Sequence, residues 1–313
     1  MTEDVLVICP LLKSCMTALE RDYRVHRYWQ TEDKAALLAQ IGPNLRAVAT
    51  DGHHGVPADV MAAAPQLGVV ASLGVGYDGI DIDACRARGI QVGYTPDVLN
   101  DAVAELTLGM MLALSRRIVE ADRYVRAGRW VAEGAHPFAS ELTGRTAGIV
   151  GLGRIGKEIA VRCQAMKMQV VYHGRSEQTH QPYPYFADLT EMARESDWLI
   201  LIAPGGAGTR HIVNRQVLEA LGPEGRLLNV ARGSLVDEPV LVEMLQTGGI
   251  AGAALDVFEA EPSVPEALFG LDNVVLSPHQ GSATDKTRYD MGDLVVRNLA
   301  AYFAGRPLVT PVP

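Results

Sequence analysis

The sequence lacks a basic surplus. Lys and Arg together number 28 against 37 Asp and Glu, giving a formal net charge of −9. Nucleic acids and anionic membranes are met with basic patches, so neither is expected as a partner, and an anionic cofactor must be held by local features. The chain also lacks any apolar run of about twenty residues, the length a spanning helix needs. Its first residues, Met1-Thr2-Glu3-Asp4, are acidic where a signal peptide would be basic. Only four cysteines occur (Cys9, Cys15, Cys85, Cys163), and none forms a C-x-x-C pair. That spacing excludes the usual zinc-ribbon patterns and suits free thiols in a reducing cytoplasm. The eight histidines include no H-E-x-x-H, and the adjacent His53-His54 reads as a loop pair. No metal site is expected.

What is present is a βα rhythm. The chain has 313 residues, 48% of them hydrophobic and 21% charged, enough for two domains. Short apolar runs at Val5–Cys9, Tyr23–Tyr28, Ala47–Ala49, Val69–Leu73 and Ile90–Val92 read as strands, with helical patterns at Met16–Arg21 and Glu32–Ile41 between them. Alternation of this kind predicts a parallel sheet covered on both faces. From Asp97 to Arg126 the apolar positions Val103, Leu106, Met110 and Leu112 recur at helical spacing, with Gly109 as the only breaker, which predicts one or two long helices joining two domains. A second α/β unit begins near Gly148, with strands expected at Thr146–Val150, Met168–Tyr172, Trp198–Ile202, Arg226–Asn229, Gly252–Leu255 and Val274–Leu276. Residues 286–304 read as a closing helix that returns to the first domain. The expected division is therefore 1–98 with 286–313, and 99–285 for the cofactor domain.

Residues 148–156 read Gly-Ile-Val-Gly-Leu-Gly-Arg-Ile-Gly, between an apolar strand and a helix predicted over Lys157–Met166. In such a turn Gly151 makes the tight bend, Gly153 lets backbone approach a pyrophosphate, and Gly156 lets the helix pack on the strand. The helix N-terminus adds N–H groups and partial positive charge. Arg154, inside the turn, either adds charge near the phosphates or sits solvated. The next strand ends Tyr172-His173-Gly174-Arg175-Ser176. An NAD site usually carries an acid here to bind the ribose hydroxyls. None occupies 173–176; Arg175 can pair with a 2′-phosphate and Ser176 can donate to it, so NADP(H) is expected over NAD(H).

Three polar clusters follow apolar strands: Asn229-Val230-Ala231-Arg232-Gly233, Asp256 to Pro262, and Ser277 to Ser282. Ligands of open α/β sheets bind at such strand ends. An arginine, a carboxylate and a histidine beside a nicotinamide suit carbonyl reduction. Arg232 would orient an acid group and polarise the carbonyl. His279 would supply the proton, and Glu261 would stabilise its charged form. Glu259 is a second carboxylate close enough in sequence to compete for that role.

These residues carry a resemblance to the D-isomer-specific 2-hydroxyacid dehydrogenases along nearly the whole chain. The matching segments are Leu73 to Asp81, the Gly148–Gly156 turn, Asn229 to Asp237, Ala254 to Pro262, and Ser277 to Ser282. The resemblance implies a Rossmann cofactor domain inserted in a discontinuous flavodoxin-like substrate domain, both with parallel sheets, and a homodimer contacting through the Asp101–Arg126 helices. It implies that Gly74, Val75 and Gly76 offer backbone N–H groups to the substrate carboxylate. It implies that Asp256 contacts the nicotinamide carboxamide, and that Ile155, Ala203, Pro204, Thr209, Val230, Ala231, Arg232, His279 and Gly281 also border the cofactor. Thr95 to Leu99, Asp122 to Arg126 and Pro307 to Val312 resemble the glyoxylate/hydroxypyruvate reductases within the family. Reduction of small 2-keto acids is the expected activity. Reduction of aryl-pyruvates is the nearest alternative, and a dinucleotide-sensing protein like the C-terminal-binding corepressors is one of another class.

Overall fold

Five strands, β1 (Asp4–Val7), β2 (Arg24–Arg27), β3 (Ala47–Asp51), β4 (Val69–Leu73) and β5 (Gln91–Gly93), form one sheet in the order β2-β1-β3-β4-β5 in the computed structural model, which describes residues 2–313. Every neighbouring pair is parallel. The order 2-1-3-4-5 is the flavodoxin-like arrangement. Its central strands β1, β3 and β4 are mostly apolar and buried because helices cover both faces, whereas the edge strand β2 (Arg24–Arg27) is polar and partly exposed. One face buries Leu6, Val48 and Val70 with Leu38, Ile41 and Val60. Helices Lys13–Asp22 and Asp285–Phe303 pack together, the latter also against β4, and bury Leu19, Met291, Val295 and Leu299.

Seven further strands build a second parallel sheet: β6 (Thr146–Val150), β7 (Gln169–His173), β8 (Tyr185–Phe186), β9 (Trp198–Leu201), β10 (Arg226–Asn229), β11 (Gly252–Leu255) and β12 (Val274–Leu276). Their order is β12-β11-β10-β9-β6-β7-β8. Counted from β6 as first, this is the Rossmann order 3-2-1-4-5-6 with one strand added at the far edge. The direction of winding reverses between β6 and β9, and the glycine turn follows β6, at that switch point.

The described residues divide into two units, one running through Leu99 and resuming at Thr284–Pro313, the other Asn100–Ala283. The predicted Asp97–Arg126 segment is two helices, Asn100–Ser115 and Ile118–Arg126. Gly109 does not break the first; the chain turns at Arg117, whose φ of 52° interrupts the helical ladder. The helix after the glycine turn starts at Arg154 rather than Lys157, directly on Gly153. Strand β8 and the short helices Ala58–Ala63, Ile82–Ala87 and Leu189–Arg194 carried no sequence expectation. Among the described residues no helix is long and apolar enough to cross a membrane.

Candidate functional site

The second unit gathers most of the predicted residues at the carboxyl ends of adjacent strands. Gly151 leaves β6 with φ +103°, and a Cβ there would lie 2.9 Å from the Ala203 backbone. A Cβ on Gly156 would lie 2.1 Å from the Gly151 carbonyl oxygen. Both glycines are thus demanded by the protein's own packing. Gly153 is different: a Cβ there would meet nothing within 4 Å, and its φ of −81° suits any residue. Nothing inside the protein requires glycine at 153, whereas a ligand pressed against the backbone would. Gly153 and Arg154 are exposed, Ile155 is half-buried, and no side chain caps the helix Arg154–Ala165. An exposed, uncapped helix start behind an open glycine fits a pyrophosphate.

Beyond β7, Arg175 and Ser176 are exposed, in a loop tied back to the glycine turn. Gln178 Nε2 donates to the Leu152 carbonyl at 2.8 Å, and its backbone N–H donates to the buried Tyr172 hydroxyl at 2.6 Å. Neither Gln178 nor Tyr172 was singled out by the sequence, because a long-range tether leaves no local pattern. Ala203 lies half-buried against Gly151, Pro204 is exposed, and Thr209 Oγ1 donates to the Pro204 carbonyl at 2.7 Å, closing the loop after β9.

Arg232 follows β10 on a loop fastened by Asn229. The Asn229 side chain donates to the Arg232 carbonyl at 2.9 Å and accepts from Ala231 N at 3.1 Å. Asparagine at a strand end, bonding backbone two and three residues on, is a readable turn signal. Val230 and Ala231 are buried, so only their backbone is available to a ligand, and Arg232 is half-buried. Gly233 has no room for a side chain: its Cβ would sit 1.9 Å from Phe258 carbonyl carbon.

His279 and Glu261 meet directly. The His279 Nδ1 to Glu261 Oε2 distance is 2.7 Å, and Glu261 Oε1 accepts from Phe258 N at 3.0 Å. With Nδ1 engaged by a carboxylate, the ring is oriented and Nε2 is the nitrogen that Glu261 does not occupy. Asp256 is 1% exposed, and its oxygens accept from Gln280 N at 2.7 Å and Gly281 N at 2.8 Å, while its carbonyl accepts from His279 N at 2.8 Å. This carboxylate therefore builds the turn that presents His279, whose φ is 52°. Glu259, the rival in sequence, turns to His211 at 3.1 Å and Arg210 at 2.7 Å. The hydrogen bond from His211, ahead of that from Arg210, holds its carboxyl below the usual value. A depressed carboxylate keeps its clamp as pH falls through the ordinary range and loses it only below its lowered pKa. Glu259 thus fastens the loop carrying Glu261.

On the first unit, Gly74, with φ +125°, follows β4 and is half-buried with Val75 and Gly76. The Gly74 N–H donates to Thr95 Oγ1 at 2.8 Å, and its carbonyl accepts from Thr95 N at 2.9 Å. This narrows the expectation for the loop: the donors left to a ligand are those of Val75 and Gly76. The loop is backed by Gly52, whose Cβ would lie 1.8 Å from the Gly76 carbonyl oxygen.

The family model for the D-isomer-specific 2-hydroxyacid dehydrogenase NAD-binding domain matches residues 108–281. A hydroxyphenylpyruvate reductase of Plectranthus scutellarioides and a glyoxylate/hydroxypyruvate reductase A of Arabidopsis thaliana are each 45% identical over 308 residues, 98% of this chain and 98% of theirs. The crystal structure of an NADPH-dependent glyoxylate/hydroxypyruvate reductase from Sinorhizobium meliloti, in complex with NADP and malonate, superposes with a TM-score of 0.95 at 44% identity, covering 100% of this chain and 97% of that one.

Proposed function

This chain belongs to the D-isomer-specific 2-hydroxyacid dehydrogenases, and from that premise we propose that it is an NADPH-dependent reductase of small 2-keto acids, glyoxylate and hydroxypyruvate among them. The observation that carries the reading is the 2.7 Å His279–Glu261 pair, set on strand ends neighbouring that of Arg232, in a Rossmann unit. When bound, the nicotinamide supplies a hydride to the carbonyl carbon. Arg232 grips the carboxylate and draws charge toward the carbonyl oxygen. On the first unit, the backbone N–H groups of Val75 and Gly76 suit a carboxylate. His279 in its charged form releases the Nε2 proton to that oxygen, and Glu261 stabilises the imidazolium beforehand. The product is the D-2-hydroxy acid.

The glycine turn supports a test of cofactor binding that is separate from chemistry. Gly153→Ala adds a methyl group into space that the protein leaves open. Its cofactor-free stability should change by no more than about 1 kcal/mol, the scale of a changed helix cap, while dinucleotide affinity falls tenfold or more. Thermal melting without cofactor and fluorescence titration with NADPH measure the two effects. A large loss of melting temperature with normal affinity would reverse the assignment.

Aryl-pyruvates form the second reading, favoured by the equal identity of a relative named for hydroxyphenylpyruvate. Parallel kcat/KM measurements on hydroxypyruvate and 4-hydroxyphenylpyruvate separate the two. Homodimer formation is supported by Val125, Trp130, Val131 and Phe138, which are 54%, 64%, 96% and 101% exposed within one stretch; apolar surface of that kind marks an interface. Light scattering should give twice the chain mass, and Trp130→Glu combined with Val131→Asp should give monomers; a monomeric parent would refute the dimer. Four unbridged, buried thiols fit the cytoplasm as the compartment.

A further inference from the structure

Strands β1 and β3 run parallel, with Val7 opposite Ala49 and the ladder continued by Ile8 N donating to the Ala49 carbonyl at 2.9 Å. That register carries Cys9 and Asp51 out of the sheet side by side, at its carboxyl edge. The chain then folds back in a tight turn. Thr50 Oγ1 donates to the Gly55 carbonyl at 2.7 Å, Gly55 N donates to the Asp51 carbonyl at 3.1 Å, and Asp51 Oδ1 accepts from His53 N at 3.0 Å and His54 N at 2.7 Å. The turn delivers the His54 ring to the same carboxylate, with Nδ1 2.9 Å from Oδ1 and 3.0 Å from Oδ2. A thiol, a carboxylate oxygen and an imidazole nitrogen thus lie within 4.8 Å of one another. His53, the neighbour in sequence, is not in the cluster.

We propose that Cys9, Asp51 and His54 form a binding site for one divalent transition-metal ion of the zinc class, with a fourth position open to water. Sulfur and nitrogen donors exclude calcium and magnesium, which take oxygen ligands. Tetrahedral zinc, with bonds of roughly 2.0–2.3 Å, sets its donors about 3.3–3.6 Å apart. His54 Nδ1 already stands 2.9 Å from Asp51 Oδ1, so binding opens that pair by a few tenths of an ångström and brings both donors within about 3.6 Å of the Cys9 sulfur. Binding replaces the Cys9 S–H bond by an S–metal bond and releases the thiol proton to solvent. The ion would stiffen the turn containing Gly52, on which the Gly76 carbonyl packs.

The purified, metal-free chain is titrated with Zn²⁺ against a chromophoric chelator, and with Co²⁺ while thiolate-to-cobalt absorption is followed in the near ultraviolet. The expected result is one equivalent bound, a cobalt–thiolate band, and a melting temperature raised by Zn²⁺. His54→Ala should weaken binding at least tenfold and lose the thermal shift. Cys9→Ala should abolish the band, and His53→Ala should bind like the parent. His54 is exposed, so its variant decides the matter even should Cys9→Ala fail to fold. Cobalt binding without a thiolate band, or Zn²⁺ affinity unchanged by His54→Ala, would overturn the site.

Discussion

Replacing His279 by alanine is expected to lower kcat for 2-keto acid reduction by roughly 10²–10⁴, the range that a positioned general acid contributes, while NADPH still binds. The separation follows from where the ring is held. His279 stands on a turn built by Asp256, whose two oxygens accept the Gln280 and Gly281 N–H groups. These bonds use backbone and survive removal of the imidazole. The glycine turn and the Arg175 loop are fastened elsewhere, by Gln178 and Tyr172. The variant should therefore fold and take up cofactor, yet lack a donor for the carbonyl oxygen. Glu261→Gln should fall between the parent and His279→Ala, since glutamine can keep the ring in place but cannot stabilise its charge. Stopped-flow mixing of NADPH-loaded enzyme with substrate reads the chemical step directly. Near-normal turnover in His279→Ala would remove the histidine from the mechanism.

Arg175→Asp is expected to reverse the cofactor preference, lowering kcat/KM with NADPH by on the order of 10²-fold while NADH falls far less or gains. One lost charge-assisted bond to a phosphate and one new repulsion together amount to about 3 kcal/mol, and each 1.4 kcal/mol is tenfold. Arg175 is exposed, so part of this is screened by salt, and the ratio should narrow as ionic strength rises. The substitution touches neither the glycine turn nor the strand-end residues. Equal losses with both cofactors would mean that Arg175 does not select the 2′-phosphate.

The central strands of both sheets were legible because they are buried on two faces and must be mostly apolar: Val69–Leu73 and Trp198–Leu201 are buried at every position, with Ser72 the one polar residue among them. Edge and surface elements were not. Tyr185–Phe186 is a two-residue strand paired only to β7, too short for any period to show. Helices such as Leu189–Arg194 span less than two turns, and the break at Arg117 has no glycine or proline to announce it. Within the candidate site, the glycine turn and the three polar clusters could be read because each is local in sequence. Glu261 reads as the partner of His279 with Glu259 as its rival, since both stand in one acidic run; the loop's path sends Glu261 to His279 and Glu259 to His211. The Cys9–Asp51–His54 cluster was hidden because strand pairing, not sequence spacing, brings Cys9 to Asp51. Gly74 shows the converse, a motif residue whose N–H is committed to Thr95.

NADPH-dependent reduction is tested most directly by the rate of NADPH consumption, followed by its absorbance, with the purified protein and a panel of 2-keto acids that includes glyoxylate, hydroxypyruvate and 4-hydroxyphenylpyruvate. Steady oxidation of NADPH is expected with the two small acids, at higher kcat/KM than with the aryl acid or with NADH as donor. Tight NADPH binding with no turnover on any member of the panel would contradict it, and would point to a protein that senses the dinucleotide instead of using it.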